Sequence, residues 1–351
     1  MSKTTMRAVA VLMMLALPAA GAPGSLACTT FCLRDADRMI FGRNYDFQIG
    51  DGMLVTNKRG VAKTSDVKGD KPASWTSRYG SLTFNQFGRE FPTGGINEKG
   101  LVVELMWLDG TRYPGPDQRG AVGVLEWIQY QLDTRADVAD LLAHAEEIRI
   151  HGDSPLHYLV ADRSGAVAVV EFLDGRLVAH RGADLPAPVL TNDTYDRSLD
   201  YLKTHQRFGA GGGSLERFAR AAGMVKGYDR SRGDLIDYGF VVLADVAQPS
   251  TRWSIVYDLK EMTVHFRTAV HEARRSVRVA AFDYGCGTPV RTLDVNARLE
   301  GDVSGRFTDY SPRSNLDLML GSYGRVSFLS DVPKAAIEES ARHPEATRCL
   351  P

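Results

Sequence analysis

The 351-residue chain lacks an excess of either charge, lacks a repeat of fixed period, and past its amino-terminal segment lacks any long apolar run. Lys plus Arg number 42 against 43 for Asp plus Glu, so there is no basic field for nucleic acid and no acidic tail. Eight histidines form no H-E-x-x-H and four cysteines form no C-x-x-C, so no metal is expected. No G-x-x-x-x-G-K-[ST] and no G-x-G-x-x-G after a strand occurs. The glycines at 209 and 211–213 therefore read as a flexible loop, and no cofactor is expected. Without low-complexity linkers, residues 28–351 read as a single domain.

What is present begins with Lys3 and Arg7 ahead of an uncharged stretch from Ala8 to Ala27. Its unbroken apolar part stops at Pro18, short of the roughly 20 residues that span a bilayer. That pattern is a secretory signal, residues 1–27, and places the mature protein in the periplasm or outside the cell with no membrane span. Ser25 and Ala27 are the small residues that cleavage before Cys28 requires, and the mature chain would start CTTFC. In an exported protein Cys286 and Cys349 are free to pair, which would staple the carboxyl-terminal stretch to the body.

Short β-rich runs separated by turn residues fill the first part of the mature chain: CTTFCL, RMIFGRNYDF, GMLVTNKRG, YGSLTFNQFG and GLVVELMWL. They read as a meandering antiparallel sheet. VGVLEWIQYQLDT and ADVADLLAHAEEIRI then carry helical periodicity, and HYLVAD, AVAVVEFL and RLVAHR form a three-stranded meander. LERFARAAGMV, capped by Ser214, and DLIDYGFVVLADVA are further helices, and RWSIVYDLKEMTVHFRTA is a hairpin turning near Lys260 and Glu261. The order predicts an α+β fold in which two sheets pack together with helices outside.

A catalytic thiol needs a base within reach and a cation that favours thiolate. An amino-terminal Cys28 would contain its own base, because a free α-amine has a reference pKa of roughly 7.7 to 8.0. Arg43 and Asp46 follow in FGRNYDF, and a turn at Asp35 to Arg38 would fold them back beside Cys28. Arg43 would then favour thiolate while Asp46 orients the amine. The rival reading is a lipid-anchored binding protein acylated on Cys28, although Ser25 stands where a lipid signal usually has Leu.

CTTF, FGRNYDF, GGINEKGL, VLTNDTYD and LERFARA, in this order, make the chain similar to the choloylglycine hydrolase and penicillin V acylase family of N-terminal-nucleophile hydrolases. The resemblance implies a four-layer αββα sandwich of two antiparallel sheets and hydrolysis of linear, non-peptide amides, with no metal or cofactor. It implies Cys28 as nucleophile, Arg43 and Asp46 as groups tuning thiol and amine, Asn192 as an oxyanion donor, and Arg217 as a second active-site arginine. The family forms homotetramers, so a homo-oligomer is expected. Where many members carry Asn or Tyr, this chain has Trp107, which offers only its backbone N–H to an oxyanion. That substitution points to aromatic or fatty acyl groups, as in penicillin V or N-acyl homoserine lactones, with bile salt hydrolysis as the alternative. The partner is a small N-acyl amide.

Overall fold

The computed structural model describes residues 27–205, 209 and 211–350, so most of the expected signal lies outside the described residues. Two large sheets dominate. The first runs, in spatial order, through strands Val189–Leu190, Thr29–Asp35, Arg38–Asp46, Thr251–Asp258, Thr263–Thr268, Arg275–Arg278 and Gly301–Asp302. The second runs through Arg176–Arg181, Val167–Leu173, Leu156–Ala161, Val102–Trp107, Pro92–Asn97, Ser81–Asn85, Met53–Asn57, Arg291–Asp294 and Thr308–Asp309.

Helices Ser214–Lys226 and Leu235–Asp245 lie on the first sheet, and helix Glu126–Thr134 lies on the second. Each sheet is thus covered on one face by helices and on the other by its partner sheet. This is why the strand Arg38–Asp46 is buried along nearly its whole length rather than alternating. One apolar cluster, including Phe31, Phe41, Phe84 and Trp253, fills the space between the sheets and under the first pair of helices; a second, including Trp127 and Tyr158, lies under Glu126–Thr134. The expected αββα sandwich is the observed one.

Three local expectations change. The opening strands do not form one meander: after Asp46 the chain crosses to the other sheet before Met53. The crossing, FQIGDG, turns tightly beneath an indole. A Cβ on Gly52 would lie 2.6 Å from the Trp253 ring, and Trp253 Nε1 donates to the Gly50 carbonyl at 2.9 Å. The second expected helix ends at His144, and EEIRI supplies the strand Ile148–Ile150, whose two isoleucines are buried in a parallel pair with Gly120–Val122. Ser214 does not cap its helix, where Gly213 holds the cap position; its hydroxyl turns back to the Thr191–Asn192 loop.

Candidate active site

Cys28 stands directly before the strand Thr29–Asp35, whose two-residue turn Ala36–Asp37 returns the chain antiparallel with Thr29 opposite Asn44 and Thr30 opposite Arg43. The turn lies between Asp35 and Arg38 as expected, and Ala36 takes φ +52° to make it. Opposed residues share a face, so Cys28, Arg43 and Tyr45 point toward the second sheet. Thr29, Asn44 and Asp46 point toward the helices. The hairpin therefore does bring Arg43 and Asp46 to Cys28, but from opposite faces of the sheet.

On the inter-sheet side, Arg43 is fully buried and ion-paired with Glu104, and it also donates to the Thr93 carbonyl at 2.9 Å. Tyr257 donates to the other oxygen of Glu104. Burial disfavours the Arg43 cation, but Glu104 together with Cys28, Tyr257 and Tyr45 outweighs this, and the Arg43 pKa is raised. Glu104 escaped the sequence reading, though GGINEKGL carries its trace: a Cβ on Gly94 would fall 1.8 Å from a Glu104 oxygen. Only glycine leaves room for that carboxylate.

On the helix side, Arg217 is 1 % exposed and makes four hydrogen bonds at the site, two to backbone carbonyls and two to side chains. Nη1 donates to the Cys28 carbonyl and to Thr29 Oγ1, both at 2.7 Å; Nη2 donates to Asn192 Oδ1 at 2.9 Å; Nε donates to the Gly212 carbonyl at 3.1 Å. Because guanidinium only donates, the Asn192 oxygen must face Arg217, and Nδ2 is left to reach the Trp107 carbonyl at 2.9 Å. Asn192 is held from behind as well. Its N–H donates to Ser214 Oγ at 2.9 Å, and the preceding Thr191 carbonyl lies 2.7 Å from Nε2 of buried His157.

Trp107 ends its strand. Leu108 N–H pairs with the Pro155 carbonyl of the neighbouring strand, so by alternation the Trp107 N–H and carbonyl turn the other way, toward Asn192. Asn192 and Trp107, both singled out by the resemblance, thus meet.

Asp46 takes a hydrogen bond from Thr251 on Oδ1, while among the described residues its buried Oδ2 has no partner. Burial pushes this carboxyl up to about 7, with Thr251, Arg217 and Arg43 pulling the other way. Burial likewise pushes the Cys28 thiol up to about 11 against the pull of Arg43, and its Sγ lies 3.8 Å from the Asp46 carbonyl. Arg43 thus pulls the sulfur toward thiolate, but in the chain that still carries Ala27 burial outweighs that pull.

Cys28 and Asp46 line a cavity of about 160 Å³. Its walls are mainly apolar and aromatic: Phe47, Phe87, Trp107 and Leu125, with Tyr323 and Phe328 from the carboxyl-terminal part of the chain. Sequence reading reached Trp107 alone among these, because no motif extends to residues 323 and 328. The pairing that the sequence left open is made: Cys286 and Cys349 form a disulfide with Cα atoms 5.6 Å apart.

Residues 28–227 fit the linear amide C–N hydrolases of the choloylglycine hydrolase family, and the match begins at Cys28. The chain belongs to that family. It is 27% identical over 303 residues to a penicillin V acylase of Pectobacterium atrosepticum, covering 71% of this chain and 80% of that one. The structure of a penicillin V acylase from Agrobacterium tumefaciens superposes with a TM-score of 0.72 at 26% identity, over 81% of this chain and 98% of the other. A conjugated bile acid hydrolase variant from Clostridium perfringens shares the fold at a TM-score of 0.64 and 18% identity, over 76% and 96% of the two chains. The protein is an amide hydrolase. Among the described residues no helix is long and apolar enough to cross a membrane.

Proposed function

We propose that the protein, once cleaved before Cys28, is an exported penicillin V acylase-like or N-acyl homoserine lactone acylase-like enzyme working through its amino-terminal cysteine. The observation that carries this reading is the meeting of Cys28, Asp46 and the Asn192–Trp107 pair at an aromatic cavity. In the uncleaved chain the Cys28 nitrogen is a peptide nitrogen, and Ala27 is buried beside it. Cleavage turns that nitrogen into an amine and gives the unpartnered Asp46 Oδ2 a donor to accept from.

The amine then takes the thiol proton as Sγ attacks the amide carbonyl, and passes it to the leaving nitrogen as the C–N bond breaks. Nδ2 of Asn192 retains one hydrogen beyond that given to the Trp107 carbonyl, and with the Trp107 N–H it holds the oxyanion. Arg217 positions both partners by fixing the Cys28 carbonyl and the Asn192 oxygen. Water releases the acyl group from the thioester.

The Trp107 and Phe328 rings, 5.8 Å apart and tilted against each other, give the cavity an aromatic wall that suits a planar or extended acyl group better than the fused rings of a bile acid. Cys28, 3 % exposed between two sheets, leaves no room for a diacylglyceryl anchor. The Cys286–Cys349 disulfide suits an oxidising compartment and supports export. Assembly as a homo-oligomer belongs to the same proposal and is measured by sedimentation.

The test is a protein beginning at Cys28, assayed with penicillin V, a long-chain acyl homoserine lactone and glycocholate, beside a form that keeps Ala27. Turnover of the first two only in the Cys28 form supports the reading. Equal turnover by the form that keeps Ala27 refutes it, and a preference for glycocholate refutes the substrate class.

A further inference from the structure

The family match ends at residue 227, yet the cavity beside Cys28 is closed by a segment a hundred residues further on. Helix Pro312–Arg325 brings Tyr323 to the cavity, and the turn that follows brings Phe328 and Leu329. Phe328 is a large apolar side chain left 47 % exposed. Its ring sits 5.8 Å from that of Trp107 and 6.4 Å from that of Phe47, on the cavity wall.

Polar contacts around the rim fasten this segment. Gln48 Nε2 donates to Ser327 Oγ at 3.1 Å and Ser327 N–H donates to Gln48 Oε1 at 3.0 Å. Arg325 pairs with Asp51 at 2.7 Å, and Ser322 Oγ donates to the Gln86 carbonyl at 2.8 Å. Gln48 and Asp51 belong to the crossing that follows Asp46, so the wall is tied to the chain that carries the site. Helix Lys334–Arg342 packs on the same helix through Ile337, Ala341 and Met319, and the disulfide at Cys349 holds the end beyond it.

We infer that the turn Val326–Leu329 is the specificity wall of the enzyme, and that Phe328, tilted against Trp107 on the cavity wall, selects an aryl or long alkyl acyl group over a short one. This rests on the reading of the cavity as the acyl site. A half-exposed ring gains by covering an apolar guest, because both lose water-facing area together. On this reading the ring covers a long or aromatic acyl group and not an acetyl group, so it discriminates by chain and leaves the bond-breaking groups untouched.

The experiment uses the protein beginning at Cys28 and two amides of one amine, N-phenoxyacetyl and N-acetyl. Phe328→Ala should lower the ratio of their kcat/KM values about tenfold, the size of effect one apolar contact gives in a pocket. Gln48→Ala, which keeps the ring and unfastens Ser327, should lower it in the same direction by less. Penicillin V titrated by calorimetry into Cys28→Ala, with and without Phe328→Ala, should bind about tenfold more weakly without the ring. Unchanged penicillin V affinity, or a selectivity ratio within twofold of the parent, overturns the inference. Since the titration needs no turnover, it decides the wall even if Cys28→Ser hydrolyses as fast as the parent, the result that would instead sink the nucleophile reading.

Discussion

Two arginines are buried beside Cys28, and their surroundings differ in kind. Arg43, between the sheets, is ion-paired with Glu104 and its pKa is raised. Arg217, on the helix side, has no carboxylate within ion-pairing distance among the described residues, and burial lowers its pKa against the pull of Asp46 and Cys28. The first is a balanced pair that props the sheets apart; the second is a cation whose charge is still available to the reacting centre. A buried pair contributes little net stability while intact, but a buried charge stripped of its partner is expensive.

The sharpest way to expose that difference is Glu104→Gln. It leaves Arg43 charged in an apolar layer and should destabilise the fold by about 3 to 5 kcal/mol in urea unfolding. Arg217 has no counterpart substitution of this kind. A loss under 1 kcal/mol would show that Arg43 is balanced by something other than Glu104.

Next in size is Asn192→Ala, which removes what Arg217 holds. As one of two oxyanion donors, Asn192 should be worth roughly 10² to 10³ in kcat, about 2.7 to 4 kcal/mol, with KM little changed. A residue serving only the loop would show a lowered melting temperature and kcat within a few-fold. Arg217→Lys follows. It keeps the charge but loses the fork that binds the Cys28 carbonyl and the Asn192 oxygen together, and should cost roughly 1.5 to 3 kcal/mol in kcat/KM. Full activity in the lysine variant would mean that charge alone matters there.

The sequence made one of these arginines readable in detail and the other only in outline. Arg43 could be placed by counting along a hairpin, because a two-residue turn fixes register and register fixes the facing residues. Its partner Glu104 could not, since it arrives from a different sheet and the crossing at Gly52 depends on the Trp253 ring. The αββα layering was legible in the order of strands and helices. The split of the opening strands between two sheets was not, as both sheets are buried on both faces and their strands read alike. Phe328 was out of reach for a similar reason: nothing in GRVSFLSD announces that it folds over a cavity made by residues 200 positions earlier.

The smallest effect tests the carboxylate that faces Arg217. Asp46 has its pKa raised to about 7 in the chain that still carries Ala27, because burial outweighs Thr251 and the arginines. Unfolded, the same group titrates near 3.9. Between those values the folded protein binds a proton that the unfolded one does not, so the group's penalty is absent below pH 4 and fully present above pH 7. Stability should therefore fall as pH rises through that window. In a protein beginning at Ala27, Asp46→Asn keeps an oxygen for Thr251 and removes the penalty, so it should stabilise by on the order of 2 kcal/mol at pH 8 and hardly at all at pH 4. In the protein beginning at Cys28 the sign should reverse at pH 8, because the new amine gives Oδ2 the partner it lacks and asparagine would forfeit that bond. Melting curves of both forms at both pH values decide: the same stabilisation at pH 8 with and without Ala27 would mean that Asp46 does not meet the amine.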